Sequence, residues 1–492
     1  MNEEKSTFIK NYQKGKPQVL KKILIADIET PFSSLLKISK GEKYSFLLES
    51  VEGGNKRARF SLLGCDPDLI WNVNKGKASI KYLENDYNYK INKEPLKGLR
   101  ELINLSKIKN SSNEIPFPTL VGYLGYEMIK YMENIDLKNY DNINIPEATL
   151  IRPKIVAVFD NIKDTISIMT VSYPNKFISA ESAYRNANFL LKKTIKKLEK
   201  SILSSSNRNK KNAKLKFKSN FKKEEFYTVI KKAKKYIKEG DIFQVVPSQR
   251  FETNYNLKAI DLYRSLRRLN PSPYLVNFNF DKFGIVASSP ELMVQLRNNK
   301  VTIRPIAGTR RRGKNTSEDI ILSNDLINDQ KELAEHLMLL DLGRNDVGRV
   351  SKKGSVKVTE KMNIEYYSHV MHIVSNVEGI INKKLDAIDA LVAGFPAGTV
   401  SGAPKIRAIE IIEELENVSR SFYAGCMGYF DANGDMDTCI SLRTGLVKNN
   451  KLYIQAGAGI VYDSVPKKEH QEILNKANAL MAAAKESYKY SK

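Results

Sequence analysis

Apolar and polar positions alternate with a period of two in short runs along the first third of the chain. Residues 44–49, 59–63, 69–73, 155–159 and 165–171 read as strands with one face buried. The period changes after residue 220. Residues 221–239 repeat apolar positions at three and four, as an amphipathic helix does, and strands and helices then mix to the end. The runs 425–431, 437–446 and 452–461 read as three strands, joined by turns at Asn433-Gly434 and Asn449-Asn450. Strands in hairpin-like neighbourhoods, without βαβα alternation, predict an α+β fold: mixed and antiparallel sheets flanked by helices. No fixed-period repeat marks a solenoid.

A lysine-rich segment, 192–220, divides the pattern. Its first part extends a helix, and its centre, Ser204-Ser205-Ser206 with Asn, Arg and Lys at 207–212, reads as a solvated linker. It separates an N-terminal region, 20–172, from a C-terminal region, 221–486. With 492 residues, 42% of them hydrophobic, the chain has ample material for a large core. No apolar run reaches the ~18–20 residues that a membrane span needs. Met1-Asn2-Glu3-Glu4-Lys5 carries acids and no following apolar stretch, unlike a secretory signal or transit peptide. Cys65, Cys426 and Cys439 form no metal-type spacing, so a reduced, cytoplasmic protein is expected.

The formal charge of +25 raises the possibility of a nucleic-acid partner. Yet the 80 basic residues comprise 60 lysines and only 20 arginines, spread from end to end among asparagines. Solvated surface lysines produce that picture without any phosphate-reading surface, so no nucleic-acid partner is expected.

Several groups carry possible chemistry. A two-residue turn at Asn449-Asn450 would set Arg443 opposite Ala456, beside Gly457-Ala458-Gly459, where a guanidinium and approachable backbone suit a carboxylate. A surface arginine beside a strand bulge fits the same pattern. Glu332 and Glu335 share one helix face, and Glu469 and Glu472 share another; two such pairs could converge on a hard cation, or lie on solvated faces. His372 lies in an apolar run, where a lone histidine is usually a satisfied core residue. Cys426, in Gly425-Cys426-Met427-Gly428, superficially resembles a nucleophile elbow but lacks a histidine partner, and reads as a small buried strand residue.

From about Leu20 onward, interrupted only by the linker, a series of motifs resembles the chorismate-utilising enzymes, specifically the anthranilate synthase component I family. They are Leu47-Leu48-Glu49-Ser50, Gly122-Tyr123-Leu124-Gly125-Tyr126-Glu127, Asp241 to Ser248 (DIFQVVPS), Asn270-Pro271-Ser272-Pro273-Tyr274, Ser289-Pro290-Glu291 and Arg304-Pro305-Ile306-Ala307-Gly308-Thr309. Glu335-His336-Leu337-Met338, Phe395 to Lys405 (FPAGTVSGAPK) and Gln455-Ala456-Gly457-Ala458-Gly459 complete the series. Each is short; their number and order make the resemblance specific.

The resemblance implies an N-terminal regulatory region interwoven with a chorismate-binding region. It implies conversion of chorismate and ammonia to anthranilate and pyruvate, the first committed step of tryptophan biosynthesis. A separate glutamine amidotransferase subunit, component II, would supply ammonia in a heterotetramer of two of each subunit. Glu335 and Glu472 match magnesium-binding positions, supported by Glu332 and Glu469. Gly308, Thr309, Tyr429, Arg443, Gly457, Ala458 and Gly459 match chorismate-binding positions. Glu291 matches the acid that protonates the departing 4-hydroxyl, and His372 and Thr399 match positions beside the reacting ring. Glu49, Ser50, Pro273, Tyr274 and Leu275 match the site at which tryptophan inhibits.

Ala307 stands where aminodeoxychorismate synthases usually carry a nucleophilic lysine. Gln244 stands where isochorismate and salicylate synthases carry a lysine that activates water. Both point to ammonia as the direct nucleophile. Leu275 and Arg311 depart from the family's frequent Met and Pro; Leu is a near-isostere of Met, so tryptophan inhibition is expected.

Overall fold

The computed structural model describes residues 3–41, 43–52, 56–83, 90–108, 115–201, 214–367 and 370–490. Two long antiparallel strands, Phe60–Asn74 and Ala148–Asp160, lie at the centre of its sheet system. Their register shifts between Pro67 and Leu69, where Asp66 takes a left-handed φ of 53°, and the sheet forks there. The first half of Phe60–Asn74 pairs with Ser45–Glu49, and its second half pairs with Lys77–Tyr82. Ala148–Asp160 likewise pairs with Thr165–Ser172 at one end and Pro118–Leu124 at the other.

Two sheets grow from this fork. The first runs from Ser45–Glu49 through Tyr274–Asn279, Phe283–Ser289, Thr444–Lys448, Lys451–Gly457 and Ser248–Asn254. The second runs from Pro118–Leu124 through Cys426–Asp431, Met436–Ile440, Leu292–Arg297, Lys300–Ile303 and Val370–Ile380, which also pairs with Ile306–Arg311 and Lys357–Tyr366. Every one of these pairs is antiparallel, and neither arm returns to close a barrel. The α+β expectation holds. So does the interweaving: Ser45–Glu49 and Pro118–Leu124, from before the lysine-rich segment, are built into sheets whose neighbouring strands come from after it.

Side-chain alternation decides what each face buries. Phe46 and Leu62 enter a cluster between the sheets with Phe278, Ile285, Leu120, Val294 and Met427. Leu47 and Leu63, one residue on, face the opposite way and pack under helices with Ile230, Leu262, Ile412 and Leu480. The periodic segment 221–239 forms the helix Lys223–Lys238, and Glu332 and Glu335 lie on Gln330–Val350. On the last helix, Pro466–Ser487, Ile473, Ala477 and Leu480 are buried as the pattern requires. The lysine-rich segment begins as helix through Leu198 and re-enters the sheet at Lys218–Ser219; its centre, 202–213, lies outside the described residues. Among the described residues no helix is long and apolar enough to cross a membrane.

The C-terminal strands differ from expectation in one respect that matters below. The run 437–446 is two strands, Met436–Ile440 and Thr444–Lys448, because the chain leaves one sheet and enters the other at Ser441-Leu442-Arg443, with Arg443 at φ 46°. The Asn449-Asn450 hairpin forms as expected, both residues at positive φ, but its ladder ends at Gly445 opposite Ile454. Arg443 therefore does not pair with Ala456, which pairs with Gln249 instead.

The fork is pinned by a buried ion pair. Arg152 Nε donates to both carboxylate oxygens of Asp68 at 2.9 and 3.1 Å, and its guanidinium stacks 3.7 Å from the Tyr173 ring centroid. Arg152→Met leaves Asp68 buried and unpaired, which should destabilise the fold by ~3–5 kcal/mol. Urea unfolding followed by tryptophan fluorescence, reporting on buried Trp71, is the check; an unchanged midpoint would show that the pair does not hold the fork.

Candidate active site

Two chain crossings between the sheets lie side by side and deliver the central residues. Phe283–Ser289 leaves the first sheet, passes through Pro290-Glu291 and enters the second as Leu292–Arg297. The Ser441-Leu442-Arg443 crossing runs in the other direction. The flanking strands pair across both sheets, and the Ile440 amide donates to the Glu291 carbonyl at 3.0 Å, so the crossings are held together.

Glu291 is buried, and that burial raises its carboxyl pKa to about 8; Thr399, the Ile306 amide, Lys476 and Arg443 oppose the rise. The group is therefore a neutral acid near pH 7, able to donate a proton. The Thr399 hydroxyl beside it is buried without a hydrogen bond of ordinary geometry. Burial also lowers the Arg443 pKa, and among the described residues no carboxylate pairs with its side chain; Tyr367 and Glu291 act on it only at longer range. A desolvated guanidinium without an anion, on a residue that keeps partial exposure, could receive one.

His372 lies on Val370–Ile380, opposite Thr309, where a bulge at Gly308 (φ 69°) turns the Gly308 carbonyl toward it. The imidazole Nδ1 donates to that carbonyl at 2.9 Å and lies 3.1 Å from Thr309 Oγ1, which fixes the tautomer and leaves Nε2 as an acceptor. Burial lowers the His372 pKa to about 4, with Arg443 and Lys476 adding to the shift and the Gly308 carbonyl opposing it, so the ring is neutral near pH 7.

Gly457 ends the strand that pairs with Ser248–Asn254, and Ala458 and Gly459 follow it. A Cβ at Gly457 would stand 2.8 Å from the Pro247 carbonyl, and one at Gly459 would stand 2.6 Å from Gln244 Nε2. These glycines are required first by the close approach of the Gln244–Ser248 segment. Lys476, which the sequence reading missed, donates to the Gly457 carbonyl at 3.1 Å and to Glu472 at 2.7 Å. Its place one turn after Glu472 was the available signal. Tyr429 is buried in a neighbouring cluster, its hydroxyl 3.3 Å from Arg297, with Asp437 and Tyr274 close by.

The glutamate pairs lie at the starts of their helices, and Lys331 of the first pairs at 3.0 Å with Asp463 in the turn before the second. Burial raises the pKa of Glu332, and the charge of Glu335 raises it further. Burial raises that of Glu469 as well, opposed by Ser464 and reinforced by Glu472. Gln244 Nε2 donates to Glu335 Oε1 at 2.9 Å. Among the described residues no three carboxylates form a ready-made metal cage. Glu332 and Glu335 hold like charges in partial burial that a hard divalent cation would relieve, while Glu472, exposed and ion-paired with Lys476, offers an accessible carboxylate beside half-buried Glu469.

Glu49, Ser50 and Leu275 line a separate cavity of about 380 Å³ with Phe32, Arg264 and Arg268. Glu49 accepts from Tyr263 at 2.6 Å and from Arg267 Nε and Nη2 at 2.7 and 2.6 Å. Tyr274 precedes Leu275 and so points to the other face, its hydroxyl 3.5 Å from Asp437; neither it nor Pro273 lines the cavity. Cys426 is buried and its thiol is pushed up to about 12, as expected for an inert strand residue.

A neutral buried acid, an unpaired guanidinium and paired glutamates could together take a small polycarboxylate. The comparisons agree with that class. The family of chorismate binding enzymes matches residues 45–482, and the chain belongs to that family. Within it, the chain is 47% identical over 485 residues to anthranilate synthase component 1 of Cereibacter sphaeroides, covering 98% of this chain and 97% of that one. It is 44% identical to the Aquifex aeolicus component 1, covering 94% of this chain and 93% of that one. The crystal structure of anthranilate synthase component I from Streptococcus pneumoniae superposes with a TM-score of 0.76 at 35% identity, covering 93% of this chain and 98% of that one. A menaquinone-specific isochorismate synthase of Escherichia coli shares the fold (TM-score 0.72, 17% identity), covering 98% of this chain and 100% of that one.

The protonation of Glu291 is directly observable. Difference infrared spectra should contain a protonated-carboxyl band that is present at pH 6, lost as pH rises through about 8, and absent from Glu291→Gln. A band that titrates near the ordinary carboxylate value, about 4.3, would contradict the burial argument.

Proposed function

We propose that this chain is the aminating subunit of an anthranilate synthase, converting chorismate and ammonia to anthranilate and pyruvate. The observation that carries this reading is the unpaired, desolvated Arg443 beside the neutral acid Glu291, in a chain closely similar to several component 1 proteins. Chorismate has two carboxylates. Arg443, with Lys476 near it, receives one; Glu335 and Glu472, supported by Glu332 and Glu469, would hold a magnesium ion against the other. Bound there, magnesium would neutralise the ring carboxylate as charge builds.

Ammonia adds at the 2-position as the 4-hydroxyl departs. Hydroxide is a poor leaving group, so Glu291 gives its proton to that oxygen and water leaves, a contribution of ~10²–10⁴-fold; the added nitrogen then loses its surplus proton, which restores the acid. In the second step the 2-position loses its proton as the bond from the ring to the enolpyruvyl oxygen breaks. Neutral His372, with Nε2 free to accept and Thr399 nearby, is placed to take that proton. The enolpyruvate released takes up a proton at its methylene carbon to become pyruvate, and the ring becomes aromatic.

Water addition is the less supported alternative. Gln244 is no base near neutral pH, and its amide nitrogen is already directed at Glu335. Ammonia would come from glutamine through a separate amidotransferase subunit, because among the described residues buried Cys426 has no catalytic partner. The cavity at Glu49, Ser50 and Leu275 offers carboxylate and guanidinium groups to an amino-acid inhibitor, tryptophan in this reading.

Pure chain with chorismate, magnesium and ammonium at mildly alkaline pH should yield fluorescent anthranilate, and glutamine should not replace ammonium. Aminodeoxychorismate, isochorismate or no turnover would overturn the assignment. Arg443→Gln should raise the chorismate KM about 30-fold or more, equivalent to ~2 kcal/mol of lost charged contact. Steady-state kinetics provide that check, and a KM within threefold of wild type would remove Arg443 from the substrate site.

A further inference from the structure

Val400, next to Thr399, and Val246, in the Gln244–Ser248 segment, come from separate parts of the chain, and their carbonyls meet at one buried side chain, whose partner Glu416 reaches Gly457 through Ser248. Arg420 is 1% exposed and its ion-pair partner Glu416 is 2% exposed. Arg420 Nη1 donates to the Val400 carbonyl at 2.7 Å, one residue after Thr399. Its Nη2 donates to the Val246 carbonyl at 2.6 Å and to Glu416 Oε1 at 2.6 Å, and Nε donates to both Glu416 oxygens at 3.2 and 3.1 Å.

Glu416 extends the grip. Its Oε1 also accepts from the Ser248 amide and hydroxyl, each at 2.8 Å, and Ser248 is the ladder partner of Gly457. The Tyr126 and Tyr423 ring centroids lie 4.9 and 5.5 Å from the guanidinium carbon, and Tyr423 also contacts the Gly457 backbone. Gly457 in turn accepts from Lys476.

A buried ion pair is a poor source of net stability, because desolvating two charges offsets their attraction. What this pair supplies is geometry: a planar fork whose donors fix carbonyls from different segments. We propose that Arg420, held by Glu416, is a positioning residue for the reaction. It touches no substrate; it fixes the Gly398–Val400 turn so that the Thr399 hydroxyl faces Glu291, and it fixes the Ser248–Gly457 pairing that orients the Lys476 contact.

The test rests on the chorismate-aminating reading and can fail separately from it. With full-length protein, chorismate, magnesium and ammonium, kcat and KM are measured for wild type, Arg420→Lys, Thr399→Ala and the double variant, with thermal melts alongside. Lysine keeps the charge and loses the fork. The expected result is a kcat about tenfold or more lower in Arg420→Lys with KM within about threefold, equivalent to ~1.4 kcal/mol in the transition state alone. Thr399→Ala should then cost much less in the Arg420→Lys background than in wild type.

If Arg420→Lys does not fold, Glu416→Gln, which keeps the shape and removes the charge that anchors the fork, enters the same cycle. Additive effects of the two positions, or a kcat equal to wild type, overturn the positioning role. Absence of anthranilate from the wild-type chain overturns the functional reading instead.

Discussion

Two chain crossings between stacked sheets set the constraint on which the site depends. Antiparallel strands that change sheets leave short segments whose backbones must be satisfied locally and whose side chains point into the junction. Here the segments carry Glu291 and Arg443, and the Ile440 amide binds the Glu291 carbonyl to hold them together. The same burial that seals the junction keeps the carboxyl protonated to about pH 8 and desolvates the guanidinium, which among the described residues has no carboxylate partner. A carboxyl in water near neutral pH would be ionised and could not donate. Its value as an acid comes from the packing around it.

The interwoven topology connects this junction to the distant cavity by a short covalent and hydrogen-bonded route. Tyr274–Asn279 pairs directly with Ser45–Glu49, so Leu275 meets Glu49 at the cavity wall. On the opposite face of the same strand, Tyr274 approaches Asp437. The strand then turns back as Phe283–Ser289, which leads straight into Glu291. A ligand at the cavity that shifts this strand therefore acts on an element that ends at the acid, with no need for a long chain of side-chain contacts.

Much of the fold was legible because its strands are half-buried. The alternation of Phe46 and Leu47, or of Leu62 and Leu63, between two cores is the period-two pattern itself, and the helix Lys223–Lys238 follows its apolar stripe. The break at Ser441-Leu442-Arg443 was not legible, since 437–446 keeps a strand-like pattern while the chain changes partners; register with distant strands decides that point. Among the candidate residues, motifs pointed to Glu291, His372 and Thr399, which the fold brings to one region, whereas spacing alone left His372 and the glutamate pairs ambiguous. Lys476 and Arg420 escaped notice because one reads as a surface lysine and the other as a lone arginine in a loop. Their roles arise from contacts with Gly457, Val246 and Val400, which lie far away in sequence.

The central claim is that the desolvated Arg443 is a receptor for a substrate carboxylate beside a neutral acid. A crystal structure of the protein soaked with a stable cyclic dicarboxylate analogue of chorismate tests it most directly. The account predicts one ligand carboxylate within hydrogen-bonding distance, about 2.7–2.9 Å, of the Arg443 guanidinium, with the ring against Glu291 and His372. A ligand bound elsewhere, or an Arg443 turned away to pair with a protein carboxylate, would contradict it.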